Sequence, residues 1–190
     1  MNPLHPTPGQ TVGPFFGYAL PYAGGELLVS PARADAVRLH GRVLDGAGDP
    51  VPDALLEIWQ ADGEGRSVPQ PGSLRRDGYT FTGWGRTPTD NVGAYSFTTV
   101  EPGREAGAAF IALTVFARGL LDGLQTRIYL PEGPLEDDPF LASVPADRRA
   151  TLIAERDADR SLRFDVHLQG EHETVFLAYT RPQAPAGENR

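Results

Sequence analysis

The chain has 190 residues, no cysteine, and 17 basic against 25 acidic side chains, giving a formal charge of -8. A length of this order suits one compact domain, and the absence of cysteine excludes a disulfide scaffold or a thiolate metal site. The acidic excess disfavours general binding to nucleic acid or to an anionic membrane, while 22 glycines and 18 prolines beside 40% hydrophobic residues fit many short strands joined by turns.

At the N-terminus, Met1-Asn-Pro-Leu-His-Pro-Thr7 has neither a basic start nor an apolar run, and no stretch of the chain is apolar for long enough to span a bilayer, so the sequence reads as cytoplasmic. The next segment, Thr7-Pro-Gly-Gln-Thr-Val-Gly-Pro-Phe-Phe16, combines two prolines, two glycines and adjacent aromatics. It is too apolar and too constrained for a flexible leader and is predicted to dock on something.

Strand signals follow. Val37, Leu39, Gly41 and Val43 alternate with Arg38, His40 and Arg42, the period of two expected of a strand with one buried face. Residues 45–52 are dense in residues that tolerate positive φ or fix φ, which predicts a turn into a second strand over 54–60. Residues 61–83 carry many Gly, Pro and Arg and read as a long loop, a length that points weakly to a site. Further strands are predicted over 94–100, 108–118, 124–130, 162–169 and 174–179, with the alternation over 162–169 the clearest. One helix is predicted over 143–156, from a capping Ser143, an early proline, an acid in the first turn and an arginine in the last. The fold class is therefore mainly β: a two-sheet β-sandwich with one or two short peripheral helices and long loops.

Few residues suggest chemistry by themselves. His5, His40, His167 and His172 are scattered, and His40 and His167 fall on the polar phase of strands, as solvent-facing residues would. The acidic groups Glu136–Asp138, Asp157 with Asp159, and Glu171 with Glu173 could run acid–base hydrolysis if their pKa values were split, but acids in polar turns are usually solvated surface. Ser67 and Ser73 lack a nucleophile elbow. Arg118 emerges from the apolar strand Phe110-Ile-Ala-Leu-Thr-Val-Phe-Ala117, where it can fork onto a carboxylate. It can equally cap the sheet or pair with a surface acid.

With these segments in view the chain resembles the intradiol aromatic-ring dioxygenases. The matching blocks run in order along nearly the whole chain: Thr7-Pro-Gly-Gln-Thr-Val-Gly-Pro14, Gly41-Arg-Val-Leu-Asp-Gly46, Leu56-Glu-Ile-Trp-Gln-Ala-Asp62, Gly85-Arg-Thr-Pro-Thr89, Phe116-Ala-Arg-Gly119, Arg163-Phe-Asp-Val166 and Gly170-Glu-His-Glu-Thr-Val-Phe176.

The resemblance implies a reaction of a small aromatic acid with O₂ at an Fe(III) held by two tyrosinates and two histidines, hard anionic donors that favour the ferric state. At the corresponding positions this chain has Ser67, Glu105, Phe110 and Ala112. It therefore resembles the α-type chains of the family, which hold no metal and carry no catalytic residue; the Fe(III) of the complex would sit in an iron-binding β subunit, within a higher-order αβ oligomer. The residues implied to line the partner's substrate pocket are Thr11, Pro14 and Arg118. The implied organisation is an N-terminal segment over 1–36 that docks on the partner subunit, a sandwich domain over 37–180 and a tail over 181–190. Two other readings remain open on the residues: a stand-alone transthyretin-like binding module without redox chemistry, and a hydrolase using Glu171 and Glu173.

Overall fold

The computed structural model describes residues 15–68, 76, 77, 80–104 and 107–178. Strand β1 (Ala36–Leu44) buries Val37, Leu39, Gly41 and Val43 and exposes Arg38 and Arg42, the alternation read from the sequence. The following turn is an aspartate loop: Asp45 Oδ1 accepts the backbone N–H groups of Ala47 at 2.8 Å and Asp49 at 2.9 Å. Strands β2 (Leu55–Trp59), β4 (Ala94–Val100), β5 (Phe110–Phe116) and β6 (Leu124–Tyr129) lie within their predicted runs.

Between β2 and β4 lies β3 (Trp84–Pro88), a strand the sequence reading missed. Its residues, Trp-Gly-Arg-Thr-Pro, show no apolar alternation and end in proline, which a sheet tolerates at its edge. It is an edge strand here, in a four-stranded sheet of order β3-β2-β5-β6 whose pairs are all antiparallel.

The opposing sheet has the order β4-β1-β8-β7, where β7 is Glu155–Arg156 and β8 is Leu162–Arg163, with a further short strand also paired to β1. The expected strand over 162–169 is split into β8 (Leu162–Arg163) and β9 (Val166–His167), both parallel to β1. Phe164 and Asp165 leave the ladder between them. Phe164 donates its N–H to the His40 carbonyl at 2.8 Å, and its own carbonyl turns across β1, so close that a Cβ on Gly41 would stand 1.9 Å from that oxygen. The same oxygen accepts the Tyr95 hydroxyl at 2.6 Å. Burial pushes the Tyr95 phenol well above its ordinary pKa, so it remains a donor.

The single helix predicted over 143–156 does not form. Instead α1 (Phe16–Ala19) precedes the sandwich, and α2 (Pro139–Ser143) ends at the residue expected to start a helix. Asp138 caps α2, its Oδ1 accepting from Phe140 N and Leu141 N, each at 3.0 Å. Pro145 then forces Val144 into an extended backbone with ψ 136°, which stops the helix. A 3₁₀ turn over Arg149–Leu152 follows, and Glu155–Arg156 forms β7 on the edge of the sheet that contains β1. Residues 174–178, expected as strand, form no ladder. They link the two sheets, with Thr174 N–H donating to His167 O at 2.9 Å and Leu177 N–H to Gln125 O at 2.7 Å.

Leu39, Phe97, Leu56, Ile58, Ile111, Leu113 and Ile128 form the core between the sheets. A second apolar cluster, built on Tyr129, Leu141, Val144 and Leu152, covers the outer face of the β5–β6 end of the four-stranded sheet. At the rim Arg156 bridges Glu132, at 2.6 Å from Nε, and Glu101, at 2.7 Å from Nη1. Its hydrogen bond, chiefly, holds the Glu132 carboxyl below the usual carboxylate range.

Two outcomes follow for stability. Gly41→Ala forces the Phe164 crossover away from β1 and is expected to lower stability by about 3 kcal/mol or more. Gly48→Ala meets no neighbour within 4 Å and pays only for its φ of +84°, about 1 kcal/mol; urea midpoints of the two variants decide between these magnitudes. Glu132 is depressed in the folded state, so its contribution is present above its unfolded pKa of about 4.3 and is lost as pH falls through the lower folded value. Thermal unfolding between about pH 6 and pH 3 should therefore show a shallower acid limb for Glu132→Gln than for the native chain.

Candidate functional site

Because β5 is paired on both edges, its outward residues Phe110, Ala112, Thr114 and Phe116 stand in one row on the face opposite the core. Two features of interest lie at the two ends of this row.

At the C-terminal end, Ala117 is buried and the chain turns through Arg118 and Gly119, the latter at φ +90°. The Arg118 guanidinium lies over the Phe15 ring, 5.3 Å from its centroid, and its Nε stands 3.5 Å from Asp53 Oδ2. Asp53 itself sits in the left-handed region at φ 63°. Helix α1 packs against this corner: the Phe16 and Phe116 rings are 5.6 Å apart, and a Cβ on Gly17 would come within 2.8 Å of Asp53 Oδ1. Glycine is what lets the helix lie so close. Around the corner, Phe15, Tyr18, Leu20 and Leu121 are exposed, Tyr18 at 89% and Leu121 fully, and a shallow hollow of about 280 Å³ opens between Phe16, Phe116 and Leu120. Further along, Arg86 binds Glu57 Oε1 at 2.5 Å and the Leu20 carbonyl at 3.1 Å, so the N-terminal segment is tied to β3.

Of the expected pocket residues, Arg118 therefore meets the described start of the chain at Phe15, while Thr11 and Pro14 lie outside the described residues. Arg118 also pairs with an acid, the alternative that sequence left open. Asp53 falls between the turn expected over 45–52 and the strand expected over 54–60, and nothing in its local sequence marks it as a partner of Arg118.

At the other end stand Phe110 and Ala112, expected at the places of the two histidine ligands and facing the same way. Their cross-strand partners on β6 are Tyr129 and Arg127. The Arg127 guanidinium lies 4.2 Å from the centroid of the Phe110 ring and 5.0 Å from that of Phe140. It donates to the Tyr129 hydroxyl at 3.1 Å, which in turn donates to buried Asp138 at 3.0 Å. Burial pushes the Tyr129 phenol up to about 12, so it stays neutral. These residues do not fit a ferric ion: Phe110 and Ala112 offer no donor atom, and a guanidinium brings positive charge to the same spot. Sequence reading missed Arg127, whose place on the polar phase of a strand is indistinguishable from that of a solvated arginine.

Ser67 is exposed on the loop after β2, and Glu105 lies outside the described residues. The loops that carry these two positions are adjacent: Gly103 N–H donates to Asp62 O at 2.7 Å, and a Cβ on Gly103 would come within 2.4 Å of Gly63 O. Of the four histidines, His5 lies outside the described residues. His40 is half-buried rather than solvent-facing, its Nε2 2.9 Å from Asp157 Oδ2 and 3.2 Å from Ser161 Oγ. His167 is half-buried too, its ring stacked edge-on against His172 with centroids 6.3 Å apart. Glu171 is exposed. Among the described residues no three His, Asp or Glu side chains are grouped as a metal site, and no helix is long and apolar enough to cross a membrane.

A family model described as Dioxygenase matches residues 13–108. The chain is 42% identical to the protocatechuate 3,4-dioxygenase alpha chain of Burkholderia cepacia, across 93% of this chain and 99% of that one. The chain belongs to the intradiol dioxygenase family. Within it, the likeness to the protocatechuate 3,4-dioxygenase beta chain of the same organism is lower, 32% identity over 74% of this chain and 67% of that one. Among solved structures, the dioxygenase domain of a dioxygenase carbohydrate-binding protein fusion from Streptomyces sp. SirexAA-E superposes with a TM-score of 0.57 at 26% identity, covering 87% of this chain and 99% of that domain. The family is iron-dependent.

Placing histidine at both positions, F110H with A112H, is expected to leave the chain without stoichiometric iron by elemental analysis, because Arg127, paired across the strands with residue 112, keeps a positive charge on that face. Tight iron binding by that double variant would show that the cation is no obstacle.

Proposed function

We infer that this chain is the non-catalytic α subunit of a protocatechuate 3,4-dioxygenase. Its β partner holds the Fe(III) that supplies the oxygen chemistry, and together they cleave 3,4-dihydroxybenzoate between its two hydroxylated carbons. Both atoms of O₂ enter the product, 3-carboxy-cis,cis-muconate. The reading rests on the near full-length likeness to an alpha chain, combined with a β5 face on which phenylalanine, alanine and a guanidinium stand where donor atoms would be needed.

In this role the chain's own residues bind and orient. Arg118 offers a cation for the substrate carboxylate, since a charge-assisted fork is the strongest contact available to that group. Thr11 and Pro14 complete the wall, with the proline shielding the ring from water. The exposed side chains of Phe15, Tyr18, Leu20 and Leu121 around Arg118 supply apolar area of the kind a subunit interface covers. The assembly is an αβ unit, repeated in a higher-order oligomer, and it works in the cytoplasm.

Co-expression with its β partner tests this. The complex should carry iron and cleave 3,4-dihydroxybenzoate, while the chain expressed by itself should do neither. Stoichiometric iron and ring cleavage by this chain alone would overturn the assignment.

A further inference from the structure

Asp53 combines three features that a turn residue does not need. It occupies the left-handed region at φ 63°, a conformation aspartate tolerates better than most residues but seldom adopts. Its Oδ2 is buried and has no hydrogen-bond partner, an expensive state for a carboxylate oxygen. Its one ion pair among the described residues is with Arg118, whose Nε lies 3.5 Å away. Backbone strain and an unsatisfied buried group persist where the surroundings impose them, and they concentrate at functional sites. Here Gly17 imposes them, since helix α1 lies within Cβ distance of both the Asp53 backbone and its Oδ1.

We propose that Asp53 is a positioning residue for Arg118, holding the Nε edge of the guanidinium so that the Nη1/Nη2 edge is presented to the carboxylate of a carboxylated catechol. This rests on the reading of Arg118 as part of the substrate pocket. A guanidinium has two flat faces and two forked edges. The Phe15 ring covers one face and Asp53 faces the Nε edge, while no described residue is hydrogen-bonded to the Nη atoms. The side chain is nonetheless 44% exposed. Without its acid, a long side chain at that exposure samples many rotamers and must be ordered each time substrate binds.

The test uses the assembled, iron-loaded αβ complex and two substrates, 3,4-dihydroxybenzoate and catechol, which lacks the carboxylate. Asp53→Asn keeps the shape and the tolerance for positive φ and removes only the charge; Asp53→Gly is the second variant, relaxed at the same φ. Both are expected to raise KM for 3,4-dihydroxybenzoate about threefold to tenfold, the effect of freeing one rotamer-rich side chain, with kcat nearly unchanged and KM for catechol unmoved. Asp53 also offsets part of the positive charge of Arg118. If that dominated, KM for 3,4-dihydroxybenzoate would fall, which overturns the proposal, as would an unchanged KM or an equal shift for both substrates. Arg118→Gln separates the two levels. A carboxylate-specific rise in KM there without one in the Asp53 variants overturns only the positioning role, and no rise in Arg118→Gln overturns the pocket reading itself. Failure of both Asp53 variants to assemble would assign the residue to folding and likewise overturn the proposal.

Discussion

The two-edged pairing of β5 is the constraint from which the rest of this molecule follows. With β2 on one side and β6 on the other, the strand cannot slip by one residue without sending Ile111, Leu113 and Val115 out of the core. The same register sets Phe110 and Ala112 opposite Tyr129 and Arg127, and it delivers Arg118 to the corner where Asp53 and Phe15 meet it. Core and candidate site are opposite faces of one decision about register.

The outer face at the β5–β6 end is closed by contacts among its own side chains. In this chain a stacked cation and a hydrogen-bonded run from Arg127 through Tyr129 to Asp138 fill the β5–β6 end of that face, and Asp138 also caps the helix that covers it. Each aromatic contact to a guanidinium contributes on the order of 0.5–2 kcal/mol when partly buried. The result is a packed, hydrogen-bonded cluster.

Local pattern was a reliable guide wherever one strand face is buried and the other wet. β1 is the clearest case, and β2, β4, β5 and β6 lie within their expected runs because period two reports burial directly. It misled where long-range packing overrode it. The alternation over 162–169 is real, yet the ladder breaks at Phe164 because its carbonyl turns aside to Gly41 and the Tyr95 hydroxyl. The helix signals near Ser143 are real too, but the cap belongs to Asp138 and Pro145 ends the helix early. β3 was invisible because an edge strand need not alternate.

By itself, the sequence determined the class, the turns and the ordered family blocks, since each of these is carried by residue identity or by spacing along the chain. Tertiary structure alone decided that Arg127 stacks over Phe110, that Asp53 faces Arg118, and that Gly17 and Gly41 are required by close approach. The physical reason is that these contacts join residues far apart in the chain. Only the register of paired strands and the packing of α1 bring them together, and neither is encoded in any short window of residues.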